Sequence, residues 1–436
     1  MKKYDKYKDS GIEWIGEIPE HWEVKKIKYV LTINDETLPE TTIEDYEIEY
    51  VEISNVKSGI GILSTDLFEF KDAPSRARRI VKDGDIIVST VRTYLKSIAT
   101  IKQPNQNLIV STGFAVLRPR TINSSYIGYQ FYSDALIGEI ISISVGVSYP
   151  AISPNQIGNI SIPIPPPPEQ TAIATYLDRK TAEIDQLIDT KKRLIELYHE
   201  EKTAIINQAV TKGINPNVKM KDSGVEWLGE VPEHWEVKRV KQLVSKVGSG
   251  VTPSGGASVY QTSGIPLLRS QNIHFDGLKL DDVAYISEDI HNDMSNSKVK
   301  ARDVLINITG ASIGRTFYVE EWLGEANVNQ HVCIIRPKKQ ISSVYLYYLL
   351  RSNIGQEQIR QEQTGSGREG LTFEAIKRFV IPFVEIEEQQ SIVHHIEAEC
   401  RRIDTKIERT QRLIELLAEY RTALISEVVT GKVKVV

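Results

Sequence analysis

Residues 8–30 read KDSGIEWIGEIPEHWEVKKIKYV, and residues 221–243 read KDSGVEWLGEVPEHWEVKRVKQL. Most positions are identical, and most differences exchange like for like, as Ile12 for Val225 or Lys26 for Arg239. A second pair lies downstream. Residues 162–213 begin IPIPPPPEQ and contain RLIEL (Arg193–Leu197), while residues 381–432 begin IPFVEIEEQ and contain RLIEL again (Arg412–Leu416). A duplicated frame restricts the fold to two like units, because whatever packs one copy must also pack the other. Between the anchors the sequences diverge but keep a skeleton. Gly84–Val88 aligns with Arg302–Ile306, Leu117-Arg118-Pro119 with Ile335-Arg336-Pro337, and Tyr50–Val56 with Leu267–Ile273.

The 436 residues suffice for several domains, and a composition 41% hydrophobic and 25% charged excludes wholesale disorder and fibrous repeats. No apolar run reaches the roughly 18–20 residues of a membrane span, and the first ten residues have no apolar signal core, so a cytoplasmic location without membrane contact is expected. Cys333 and Cys400 are too few and too far apart for a disulfide framework or a zinc cluster. The net charge of −5 is unusual for a free-standing nucleic-acid binder, but it is unevenly distributed. Residues 240–380 carry 16 basic against 14 acidic side chains, whereas residues 1–24 and 381–436 are each −2.

The divergent segments hold short β-type runs such as DIIVST, FAVLRP, DVLINIT and HVCIIRP, punctuated by Gly, Pro, Asn and Asp. YIGYQFYSDALIGEI and VYLYYLLRSNIGQEQI carry apolar residues at helical spacing, with their aromatics read as core. Each variable domain is therefore α+β. The downstream anchors predict long amphipathic helices over Glu169–Lys212 and Glu388–Lys432, with narrow seams through Ile173, Leu177 and Ile184 and through Ile392, Ile396 and Ile403. A narrow seam needs a partner. The two helices are expected to pair as an antiparallel coiled coil about an internal pseudo-two-fold axis, with the alternative that each docks on its own domain.

Catalytic chemistry is hard to place. Gly310–Thr316 (GASIGRT) is one residue short of a phosphate loop and has Arg where the loop needs Lys, so it reads as a tight connection after a strand. Glu23-Val24-Lys25 and Glu236-Val237-Lys238 lack a second carboxylate from another strand and read as solvated charge. The adjacent His394 and His395 point about 100° apart on a helix and cannot share a metal as i, i+4 histidines do. His21 and His234, beside Trp22 and Trp235, read as structural. No metal site is expected.

The duplicated GxEWxGxxPxHWE motif (Gly11–Glu23 and Gly224–Glu236), the IPxPxxxEQ helix entry, the GDIIxS strand (Gly84–Ser89) and the TGSGREGL loop (Thr364–Leu371) resemble the specificity subunit of Type I restriction–modification systems along essentially the whole chain. Two departures stand out. The second helix entry reads PFVEIEEQ, and the first domain has VGVSYPAI (Val145–Ile152) where the second has the basic GSGREGL. The resemblance implies a non-catalytic subunit with two α/β target recognition domains, each reading half of a bipartite, asymmetric site in double-stranded DNA. The helices would hold the spacing and two adenine-methylating modification subunits, and two restriction subunits would complete the nuclease. It implies no cofactor on this chain: S-adenosylmethionine, ATP and Mg²⁺ would be bound by the partners. The competing readings are an autonomous DNA nuclease or methyltransferase and a protein-only adaptor.

The expected domains are a motif at 1–24, the first recognition domain at 25–162, a linker and helix at 163–220, the second motif at 221–239, the second recognition domain at 240–380 and the final helix at 381–436. Candidate DNA contacts are Arg269, Gln271 and Asn272 after a strand-like run, Arg315 in a Gly-flanked turn and Arg368 in the Gly-rich loop. In the first domain they are Arg92 and Lys96 near the matching turn and the basic run Arg76, Arg78 and Arg79. The positional counterparts of Arg269, Gln271 and Asn272 there are Glu52, Ser54 and Asn55.

Overall fold

The computed structural model describes residues 2–364 and 370–435. It divides into two compact units, Met1–Lys192 with Gln411–Val436 and Arg193–Thr410. Both long helices cross this division, so each unit contains one variable domain, one repeat motif and a part of each helix.

In the first unit a four-stranded sheet runs in the order Ile98–Thr100, Ile86–Ser89, Phe114–Pro119, Leu31–Ile33. A second sheet runs Asp66–Glu69, Glu47–Val51, Leu108–Ser111, Ala77–Ile80, with its central pair parallel. The second unit repeats the first sheet as Thr316–Tyr318, Val304–Asn307, Val332–Pro337, Val244–Ser249, and keeps three strands of the other: Ala284–Ile286, Ile265–Leu268, Asn327–Val328. Its middle strand, Ile265–Leu268, again pairs parallel, here with the edge strand Asn327–Val328. Matching residues brace both copies. Asp85 is buried and accepts from Arg118 Nε at 2.9 Å and Nη2 at 2.8 Å, and Asp303 accepts from Arg336 Nε and Nη2, both at 2.7 Å. Each carboxylate also takes a main-chain N–H, from Lys82 or Lys300, at 2.8 Å. Those bonds compensate the cost of burying the charge.

The repeat motif ties each domain to a helix. Trp22 and Trp235 are fully buried. His21 Nε2 lies 2.8 Å from Glu169 and His234 Nε2 lies 2.8 Å from Glu388, two carboxylates in the first turns of the long helices, where the helix dipole favours negative charge. The copies differ in one bond: Trp235 donates to Glu388 at 3.0 Å, whereas Glu169 accepts from the Tyr4 hydroxyl instead. Below the motif, Glu23–Lys26 pairs with Ser161–Ile164, and Glu236–Arg239 with Val380–Phe383. The domain boundaries expected at 25 and 162 thus fall on facing rungs of one ladder.

The first long helix runs Pro167–Lys212, 46 residues, which makes about 69 Å at 1.5 Å per residue. The second runs Ile386–Val429, 44 residues, and stops short of the expected Lys432. Gly431 takes φ +76°, and Lys432 N–H turns back to the Glu427 carbonyl at 2.8 Å, a left-handed glycine cap. Within each unit the helices pair antiparallel. In the second, Lys202 meets Asp404 at 2.6 Å while Lys406 lies 5.2 Å from the Tyr198 ring. In the first, Arg421 meets Asp185 at 2.9 Å while Leu424 and Val428 share a core with Ile173, Leu177 and Ile184. The pairing expected of the narrow seams is present, and docking on the domains accompanies it at the helix ends. Among the described residues no helix is long and apolar enough to cross a membrane.

The stretches read as helical each break at a buried serine. Ser124–Tyr132 and Asp134–Ser142 meet at Ser133, whose hydroxyl accepts from Leu136 N–H at 3.3 Å. Ser343–Arg351 and Asn353–Thr364 meet at Ser352. Their aromatics Tyr126, Phe131 and Tyr345 are core, fully buried.

Candidate nucleic-acid interface

In each variable domain a short turn follows an inner strand of the sheet that holds the parallel pair, Glu47–Val51 or Ile265–Leu268, and an asparagine closes it. Asn55 Oδ1 accepts from Glu52 N–H at 3.0 Å, and Asn272 Oδ1 accepts from Arg269 N–H at 2.9 Å. The two turns, Glu52–Asn55 and Arg269–Asn272, are the same structure with opposite charge at the first position. A second connection leaves the other sheet, the antiparallel one, after Ser89 or Asn307 and forms a 3₁₀ turn, Thr93–Leu95 or Gly310–Ser312. The connection read at Gly310–Thr316 is this turn. A third segment pairs with the second connection through Val91 and Ala151 in one domain and Thr309 and Gly370 in the other.

In the first domain these segments enclose a groove of about 880 Å³. Glu52 and Ser54 come from the first turn, Arg92 and Leu95 from the second, Tyr149 from the third, and Lys57 and Arg76 from flanking loops. No carboxylate among the described residues lies within ion-pair distance of Lys57, Arg76 or Arg92. The remaining expected cations are otherwise engaged. Arg78 stacks 4.7 Å from the Phe70 ring, and Lys96 pairs with Asp134 at 3.3 Å. Arg79 donates to Thr37 Oγ1 at 3.0 Å, and partial burial lowers its guanidinium pKa. The structure therefore places Arg76 and Arg92 in the lining of one groove, which Arg78, Arg79 and Lys96 do not line.

In the second domain Arg269 Nη2 donates to the Asp282 carbonyl at 2.8 Å and Gln271 Nε2 to the Asp282 carboxylate at 2.6 Å. Asn272 is 1% exposed and donates to the Lys279 carbonyl at 2.8 Å, so it braces the turn from inside and does not face outward. Buried Asn307 links two segments, donating to the Ser270 carbonyl at 2.8 Å and to Ser312 Oγ at 3.1 Å. Arg315 is half-exposed and follows directly on that turn. Arg368 lies outside the described residues.

Sequence reasoning missed Lys57, Leu95, Tyr149 and Asn307. The loop Val145–Ala151 carries apolar residues with no strand or helix period, which was the available signal for Tyr149. Asn307 had none, since an Asn ending a strand looks like any turn residue.

The family described as Type I restriction modification DNA specificity domain matches residues 19–197 and 232–417. The Type I restriction enzyme MjaVIII specificity subunit of Methanocaldococcus jannaschii is 24% identical over 96% of this chain and 94% of its own length. The EcoKI specificity subunit of Escherichia coli K12 is 23% identical over 89% of this chain and 84% of its own. Two solved structures share the fold. A chain from the work "Structural basis underlying complex assembly and conformational transition of the type I R-M system" superposes with TM-score 0.71 at 20% identity, covering 95% of this chain and 99% of that one. The HsdS subunit from Thermoanaerobacter tengcongensis gives TM-score 0.55 at 21% identity, covering 95% and 98%.

Proposed function

The chain belongs to the Type I restriction modification DNA specificity family, and from that premise we propose that its two variable domains each read one half of a bipartite, asymmetric site in double-stranded DNA. The observation that carries this reading is the repeated three-segment edge, identical in main-chain design and different in side chains: Glu52 and Ser54 in one copy, Arg269 and Gln271 in the other. Two readers of one architecture with unlike chemistry suit two unlike half-sites.

The long helices set the spacer and hold two modification subunits. Their seam buries only one stripe, and Leu187, Leu197, Leu413, Leu416 and Tyr420 remain 40–46% exposed, apolar surface that a partner helix would cover. The methyltransferase subunits bring S-adenosylmethionine, two restriction subunits bring ATP and Mg²⁺ chemistry, and this chain carries no catalysis of its own. The complex works in the cytoplasm, where its DNA is.

Arg76, Arg92, Arg315 and Arg368 serve as DNA contacts in this reading, while Asn272 and Asn307 position the segments that carry them. In the complex assembled with modification subunits, Arg315→Ala is expected to weaken binding and to lower the slope of log K against log salt by about 0.9 if it meets one phosphate. A base contact would instead relax the preference at one position. Unchanged affinity and unchanged slope would remove Arg315 from the interface. Turnover of DNA by the purified chain alone, with Mg²⁺ or S-adenosylmethionine, would overturn the non-catalytic assignment.

A further inference from the structure

The first domain's groove is unlike a surface built only for phosphates, because large apolar side chains stand open to solvent around it. Leu63 is 55% exposed, Leu95 52% and Tyr149 64%. They are held there firmly. Arg92 and Lys96 both take left-handed backbone, φ 51° and 53°, on either side of the turn that presents Leu95. Non-glycine residues adopt that conformation at a cost, and such strain persists where the surroundings enforce it. Here Arg92 N–H donates to the Pro150 carbonyl at 2.8 Å, and Thr93 Oγ1 donates to Ser144 Oγ at 2.9 Å. Val145 and Ala151 exchange two main-chain bonds, 2.9 and 3.0 Å, which close the loop carrying Tyr149. The Arg92 guanidinium lies 4.6 Å from the Tyr149 ring and fixes its face.

This arrangement is a rigid apolar edge flanked by the cations Lys57, Arg76 and Arg92, which suit a DNA backbone. On a base-pair edge in the major groove, the apolar feature is the C5-methyl group of thymine. Resting on the reading that this domain binds DNA, we propose that Tyr149 and Leu95 determine the specificity of the first half-site by packing on a thymine methyl. Arg92 orients the Tyr149 ring and reaches the adjoining phosphate.

The test uses the complex assembled with its modification subunits and a duplex bearing the target site mapped from genomic methylation. Each thymine is replaced in turn by deoxyuridine, which removes the methyl group and leaves pairing intact. One replacement, in one half-site, should weaken binding about fourfold, in line with the burial of a single methyl. Tyr149→Ala should bind unmodified DNA weakly and be insensitive to that replacement. Tyr149→Phe should stay sensitive, and Leu95→Ala should lose part of the effect. The proposal falls if no deoxyuridine alters affinity, or if the effect persists at full size in both Tyr149→Ala and Leu95→Ala. Tyr149→Ala binding weakly while wild type ignores deoxyuridine would mark a wedge between base steps and overturn the methyl contact alone. Failure of the wild-type complex to prefer its mapped site over unrelated duplex would overturn the DNA reading, and the methyl contact with it.

Discussion

Gly84 and Arg302 occupy one place in the duplicated frame. Both have positive φ, 84° and 71°, and both donate their N–H to a neighbouring main-chain carbonyl, Ile101 at 2.9 Å and Val319 at 2.8 Å. Glycine fits that backbone freely, whereas arginine there costs about 1 kcal/mol. The Arg302–Glu321 pair at 3.5 Å is about 80% exposed on both sides and returns little. Arg302→Gly is therefore expected to raise stability by up to about 1 kcal/mol, seen as a higher urea midpoint; a lower midpoint would show that the side chain matters more than the backbone. The adjacent aspartates behave oppositely. Removing Asp85 leaves Arg118, only 20% exposed, with Glu36 at 2.6 Å as its remaining carboxylate partner, so Asp85→Ala should cost about 2 kcal/mol by the same measurement. The alignment of GDIIV with RDVLI and of LRP with IRP made these positions visible in sequence. Their contact was not visible, because nothing in a linear pattern says that an Asp ahead of one strand faces an Arg at the end of another.

The ladder beneath each domain decides where a domain can be exchanged. Lys25 faces Ile162, so replacing residues 25–162 cuts that ladder at a matched rung, while a cut at 240 and 380 parts Arg239 from its partner Val380. Exchange of 25–162 for a relative's segment should change one half-site and leave the spacer intact, as read by methylome mapping; altered preference in both halves would reject independent readers. One further contact must survive the exchange. Arg421 of the second long helix donates to the Gly59 carbonyl at 3.4 Å, at the tip of the hairpin formed by Val56–Lys57 and Gly61–Ile62. Gly59 has φ +76°, so a donor hairpin without glycine there should dock poorly on the helix. The proposed ruler role of the helices also has a length to test. Four residues added to each long helix lengthen it by about 6 Å and turn it a net 40°, so the mapped gap should grow by one or two base pairs. Two residues turn the seam about 200° and should abolish assembly. Period alone revealed the helices and their pairing. The first helix ends at Lys212 as expected, but its start moves to the proline-led Pro167 and the second helix stops at Val429, ahead of the glycine cap at Gly431.

Across the whole molecule, the frame was legible because it is written twice, while the reading edges were not, because each is written once. Charge was a poor guide: the chain is acidic overall, yet three cations with no carboxylate within ion-pair distance among the described residues line one groove. The two cysteines offer a probe of the second unit, since both lie in it. Burial pushes the Cys333 thiol up to about 12, and it raises that of half-buried Cys400 by less. Native protein should therefore release thionitrobenzoate slowly from Cys400 alone, with Cys333 joining on unfolding; prompt reaction of both would show that the second core opens readily. The asparagine-closed turns carry a further consequence. Their shape is set by the fourth residue and the main chain, which leaves the first position free to be Glu52 or Arg269. On the proposed reading, a lineage can therefore inherit a new DNA target through a few point mutations that the scaffold and its partners do not register, and a duplicated gene can let one half drift while the other keeps its old word.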